Sequence, residues 1–333
     1  MPTPHRVRAC FSSRLRWRPV AVALALAALC SVPALAQTPP TASRIYRLAA
    51  TSFQKGCFPP CMCPVMWNGT VQGTFVLTPD GSDGLLEKYV VNEVNWIVKL
   101  PDGEVRITGS GTYRVGGAVS VQQQLSLDLR VGSDPVQHFD SGLVAGGADF
   151  PRIAVTVSIH GQYCFDTVIG LDASPVSPDE VHSYRLLHKS TFQQACTGPC
   201  LCAPGPLQRT GGTFSLVEME RDPLFARYAI TSANWQVRGD AATGAGGHTI
   251  TGSGFYRVGG EVAVQQQMSL ELKIDAQAPA AFDSGLVSGG GTFPRIDIPF
   301  TSTEDACVIT TIDLHAAPTR QKVDEPITEG LVP

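Results

Sequence analysis

Two aspartates and eight cysteines are the residues of this 333-residue chain whose type and spacing point to chemistry. Asp140 stands in Phe139-Asp140-Ser141-Gly142, and Asp283 in Phe282-Asp283-Ser284-Gly285. A pair of carboxylates that shares one proton activates water for hydrolysis. The same residues also make a turn, with the Asp side chain accepting from its own backbone two residues on. Cys57, Cys61, Cys63 and Cys164 recur as Cys196, Cys200, Cys202 and Cys307 at matching spacing. Four thiolates can hold a tetrahedral zinc, whereas an oxidising compartment turns the same set into bridges. Cys61-Met62-Cys63 with Met66 also has the soft donors of a Cu(I) site. The second set has Leu201 in place of Met62, so no shared copper site follows. Disulfides are the expectation, with no metal and no cofactor. Cys61 and Cys63 are too close along an extended chain to pair with each other. One bridge is therefore expected to reach Cys164, and a local one to use Cys57.

These residues recur because the chain is one domain written twice. ITGSGTYRVGG at 107–117 returns as ITGSGFYRVGG at 250–260, and VQQQLSLDL at 121–129 as VQQQMSLEL at 264–272. The duplication is an internal alignment. A residue kept in both copies serves something the copies share. No histidine is kept: His138, His160 and His315 stand opposite Ala281, Thr303 and Asp172. A shared histidine-based nucleophilic site is therefore excluded. Gln123 and Gln266 are kept in the apolar register of a strand, where a buried amide must find partners. Arg114/Arg257, Arg152/Arg295 and Asn95/Asn234 are kept as well. Gln123, Gln266, Arg114 and Arg257 are candidate ligand-binding residues. The alternative is internal tethering, with Gln bridging strands and Arg pairing with Asp140 or Asp283.

The elements that position these groups are strands. Val119, Val121, Leu125, Leu127, Leu129 and Val131 alternate with polar residues, and Val262, Val264, Met268, Leu270, Leu272 and Ile274 repeat the pattern. A period of two marks a half-buried strand. Val115 and Val119 both point inward on this reading, which requires a three-residue hairpin loop over 116–118. Trp96 and Trp235 fall on the apolar face of another strand and are expected in the core. Gly109 and Gly111 on the next strand are expected to leave room for the ring. No stretch has a convincing helical stripe. The expected fold is all-β, two tandem β-sandwich or β-barrel domains stapled by disulfides. The boundaries are a leader at 1–36, a lead-in at 37–43, copy one at 44–175, a linker at 176–182, copy two at 183–318 and a disordered tail at 319–333.

The Asp-containing motifs resemble the hydrophobic-Asp-Ser/Thr-Gly signature of pepsin-like aspartic proteases. Those enzymes are also secreted, all-β and bilobed, with one such Asp in each lobe. The resemblance covers four residues per copy and implies a hydrolase with Asp140 and Asp283 as its catalytic pair. Leu143 and Leu286 follow the Gly where that family places Ser or Thr, and the motif lies late in each copy rather than early.

Five arginines and no acidic residue precede the apolar run 20–29, and Ala34-Leu35-Ala36 fits a signal-peptidase site. The run falls short of a membrane span of roughly 20 residues. The chain carries 25 basic and 29 acidic residues, so loss of the leader leaves a net charge of −9. Such a surface is poorly matched to a phosphate backbone, and nucleic acid is not an expected partner. The sequence thus points to a secreted or periplasmic chain without a transmembrane segment after cleavage. It reads as a non-catalytic binding or structural module for an extracellular or periplasmic ligand. The alternative is a hydrolase of the aspartic-protease type.

Overall fold

The computed structural model describes residues 42–196, 200, 204–239, 244–288, 293–302 and 307–319. Copy one supplies ten strands: β1 (Arg44–Leu48), β2 (Thr51–Phe58), β3 (Met66–Ser82), β4 (Leu86–Leu100), β5 (Gly103–Gly116), β6 (Gln122–Val131), β7 (Gln137–Asp140), β8 (Val144–Ala145), β9 (Ile153–Ser158) and β10 (Cys164–Pro175). Copy two repeats them as β11 (Val181–Leu186), β12 (Thr191–Cys196), β13 (Gln208–Arg221), β14 (Phe225–Val237), β15 (His248–Gly259), β16 (Gln265–Ile274), β17 (Ala280–Asp283), β18 (Val287–Ser288), β19 (Ile296–Ser302) and β20 (Val308–Pro318). Among the described residues the only helical turn is the 3-10 segment Pro178–Glu180.

Each copy is an antiparallel barrel. β1 and β2 pair in succession with β10 on one side and β3 on the other, so together they fill one wall position. From there β3, β4, β5, β6, β7, β9 and β10 pair in chain order, and β10 returns to the first position. The result is an eight-position up-and-down barrel, closed around the ring except along most of β9 on its β7 side. Leu125, Leu127 and Leu129 face a filled interior, while Ser126, Asp128 and Arg130 alternate outward. Tyr46 stacks on Phe75 at 5.1 Å, and Phe75 meets Trp96 edge-on at 6.3 Å. Copy two reproduces this with Tyr184, Phe214 and Trp235 at 5.2 and 6.3 Å.

Both tryptophans are fully buried, but the glycine that admits each ring is not the expected one. A Cβ on Gly73 would lie 2.9 Å from Trp96 Cδ1, and Gly212 occupies the same place against Trp235. Gly109 and Gly111 instead let β6 approach, since a Cβ on either would lie 2.1 Å from a β6 carbonyl oxygen.

A second correction concerns the hairpin after β5. The strand ends at Gly116 and β6 starts at Gln122, so the loop runs over five residues. Gly116 and Gly117 have φ of 146° and 139°, and the loop curls so that Gly117 approaches the Ser120 carbonyl. Val119 is 100% exposed and Val121 is exposed too, as are Val262 and Val264. Alternation continued past the end of the strand, and only the turn geometry could have shown where it stopped.

The two barrels pack on one another within one compact unit. β14 and β15 lie against β3 and β4. Ile97, Ala229 and Phe255 belong to neither core yet are buried. Asn95 Nδ2 donates to the Gly254 carbonyl at 2.5 Å, and Arg106 donates to Ser253 O and lies over the Phe255 ring. Arg227–Glu104 and Lys99–Glu220 are ion pairs across the same boundary. The linker joins in through Glu180, which pairs with Arg47 at 2.8 Å.

Candidate functional site

Part of the set of polar residues kept in both copies, Gln123, Gln124, Arg114 and Asp140 with their counterparts, gathers around one weak point of the barrel wall. β7 is four residues long, and it meets β9 only at Asp140 and Ser158. β9 is therefore unpaired on that side from Ile153 to Val157, and a seam opens between it and β6. Gln123 spans the seam from inside. Its Nε2 donates to the Ala154 carbonyl at 2.8 Å, and its Oε1 accepts from Tyr113 at 3.0 Å. Gln266 does the same with Asp297 O and Tyr256, both at 3.0 Å. A buried amide with both ends satisfied replaces the missing ladder bond. Copy two marks the seam differently too. Pro299 stands in β19 beside Asp297, at a place where a missing N–H breaks no ladder.

On the outer wall the same strands carry Arg114, Gln124 and Asp140. Arg114 Nε donates to Gln124 Oε1 at 2.9 Å, and Gln124 Nε2 donates to both Asp140 oxygens at 2.8 and 3.0 Å. Arg114 thus reaches Gln124, not Asp140 directly as tethering was expected to run. Gln267 grips Asp283 in the same way at 2.9 and 3.2 Å. Arg114 and Gln124 line a surface cavity of about 310 Å3 with Lys88 and Thr112. Arg257, Gln267 and Asp283 line one of about 230 Å3 in copy two, where Glu104 of the first barrel closes one side.

Each aspartate begins a turn in its own barrel. The Gly142 N–H donates to Asp140 Oδ1 and the Gly285 N–H to Asp283 Oδ1. Ser141 Oγ accepts from Leu125 N, and Ser284 Oγ from Met268 N, each at 3.0 Å. Gly142 and Gly285 have φ of 63° and 61°, which the turn demands and a side chain would resist. Burial pushes the Asp140 carboxyl up. Hydrogen bonds from Gln124, the Gly142 N–H and Ser126, with His138 nearby, outweigh it and hold the group below the usual aspartate range. Among the described residues no hydrogen bond joins the two aspartates.

One further constellation left no trace in the spacing of the residues that form it. Ser126 Oγ lies 3.3 Å from His138 Nε2, and His138 Nδ1 lies 2.8 Å from Asp128 Oδ1. This is the chain of a nucleophile, a base and an orienting carboxylate. It stands on the outer wall with His138 and Asp128 more than 60% exposed, whereas acyl transfer draws on donors in a water-excluded site. Copy two has Ala281 in place of His138.

The cysteines lie at one end of each barrel. Cys57 bonds Cys63, and Cys61 bonds Cys164 across 103 residues. Cys200 bonds Cys307 in copy two, and Cys196 is disulfide-bonded as well. Cys202 lies outside the described residues. Among the described residues no helix is long and apolar enough to cross a membrane. No protein-family model, curated protein or solved structure matches the chain.

Proposed function

We propose that the chain is an exported, non-catalytic module, two barrels that bind or scaffold outside the cytoplasm. The observation that carries this reading is the use of the retained polar residues. Gln123 and Gln266 bond across the seam of their own barrels, and Gln124 and Gln267 bond the Asp140 and Asp283 carboxylates on the wall of the same barrel. Disulfides in both copies support an oxidising compartment. Tandem copies also favour binding, since linked weak sites gain avidity without new contacts. Arg114 and Arg257, each beside a surface cavity, stay the shared candidates for contact with a ligand.

A hydrolase is the second reading, supported by the Ser126–His138–Asp128 chain and the two Asp-Ser-Gly motifs. One assay separates the two. Denatured casein is offered at acid pH and p-nitrophenyl acetate at neutral pH to the wild type, Ser126→Ala, Asp140→Asn and Asp283→Asn. A module turns over neither substrate above the buffer rate. Casein cleavage abolished by either Asp change, or ester cleavage abolished by Ser126→Ala, overturns the non-catalytic reading.

A further inference from the structure

The end of the first barrel that carries the disulfides has an unusual mouth. On β2 the residues Phe53, Lys55 and Cys57 share one face, and Phe53 belongs to the core. Trp67 stands opposite Lys55 on β3, and Phe165 stands opposite Cys57 on β10. Both rings therefore continue the inward face past the end of the packed interior. There they are 41% and 50% exposed. Strands are about 4.8 Å apart and the two residues are offset by two positions along β2, so they flank it about 12 Å apart. Lys55 Nζ reaches Asp134 Oδ2 at 3.4 Å. Asp134 follows β6, on the opposite side of the barrel, so this ion pair crosses the mouth. The strands beneath are pinned by Cys57–Cys63 and Cys61–Cys164. A platform fixed in advance loses little freedom when it binds.

We propose that this mouth binds a neutral glycan, with sugar rings on Trp67 and Phe165 and their hydroxyls on Lys55 and Asp134. The inference rests on the reading of the chain as a binding module. Barrel mouths are common ligand sites, and exposed aromatic residues in a cluster mark contact surfaces. The electron-rich face of an aromatic ring attracts the weakly positive C–H face of a pyranose. Lysine only donates and an ionised aspartate only accepts. An anionic ligand would compete with Asp134, and a cationic one with Lys55. A neutral polyol offers acceptors to one and donors to the other without breaking the balance of charge.

The second barrel lacks the whole set. Gln194, Pro206, Val308 and Gln277 stand where the first has Lys55, Trp67, Phe165 and Asp134. Neither aromatic ring and neither charge survives there. The fold does not require them, and the expected stoichiometry is one glycan per chain.

Trp67 reports on the site directly, because Trp96 and Trp235 are fully buried. The experiment is acrylamide quenching of the exported protein's fluorescence during titration with cellotetraose, tetra-N-acetylchitotetraose and tetragalacturonate. The expected result is saturable shielding by a neutral tetrasaccharide and none by the galacturonate. Phe165→Ala should weaken it by about tenfold or more, the usual scale for a buried aromatic contact. Calorimetry on Trp67→Ala should show a similar loss, and Val308→Ala in the second barrel no change. The proposal is overturned if neither neutral sugar shields Trp67, or if binding is unchanged in Trp67→Ala and Phe165→Ala. It is also overturned if the galacturonate binds best. Those outcomes leave the hydrolysis assay untouched, so the site can fail while the module reading stands.

Discussion

The two barrels have the same inside and different outsides. The Tyr-Phe-Trp stack, the seam glutamine with its tyrosine, and the Asp-Ser-Gly turn agree between copies to within a few tenths of an ångström. Asn95 and Asn234 are the same residue with different fates. Asn95 is buried and bonded to Gly254 O, whereas Asn234 is exposed. Around Asn95 the outer wall has changed to suit the second barrel. Arg106 stands where copy two has Thr249, and Phe255 stands where copy one has Thr112. The contact is one-sided. A repeated one-sided contact builds open arrays. The face of copy two that would continue this one presents Asn234, Gln236 and Thr249, polar residues that end the series after two. Identity between the copies thus tracks barrel closure, and difference tracks what each outer surface meets.

Changes to what the copies share should cost the most stability. Replacing Cys61 and Cys164 together by Ser opens a loop of 103 residues. It should cost about 4–5 kcal/mol in the chain-entropy model, read as loss of the cooperative transition of the first barrel. Trp96→Ala and Trp235→Ala should each cost about 3–5 kcal/mol in denaturant titration, while Trp67→Ala costs almost nothing. Equal stability of Trp67→Ala and Trp96→Ala would break the division between core and mouth.

Smaller effects test the seam and the boundary. Gln123→Ala and Gln266→Ala should each cost about 1–3 kcal/mol, because Tyr and backbone partners are left unpaired. Asn95→Ala should cost a similar amount, and Asn234→Ala less than about 0.5 kcal/mol. Glu93 gives the least. It accepts from Ser232 N at 2.8 Å at the boundary, and burial pushes its carboxyl above the usual range against that hydrogen bond. A raised value means that the folded chain favours the protonated acid. That contribution is complete below the ordinary glutamate range and is lost as pH rises through the raised one. Glu93→Gln should therefore gain stability over the wild type as pH rises from about 4 to 7, followed by thermal melts.

Much of this was legible in the residues. The period of two in VQQQLSLDL marked a strand, and the spacing of Cys61 and Cys63 excluded their pairing but left open which of them bonds Cys57 and which bonds Cys164, a choice that the fold makes as Cys57–Cys63 and Cys61–Cys164. The seam was not legible, because it arises from β7 stopping after four residues and β9 finding no partner there. Gln123 in an apolar register was its only trace. The boundary between barrels was hidden for a similar reason. Asn95 reads the same as Asn234, and only packing separates them. The mouth needed the register that sets Trp67 against Lys55, and the ion pair to Asp134 joins opposite walls that no local pattern connects.

On the proposed reading, Asp140 serves a turn in its own barrel and does not share a proton with Asp283. The direct measurement is a carboxyl-carbon NMR titration of Asp140 in the wild type and in Asp283→Asn. One midpoint below the usual aspartate range, unchanged by the substitution, is the predicted result. A two-step curve in the wild type, or a midpoint that moves when Asp283 is made neutral, would contradict it.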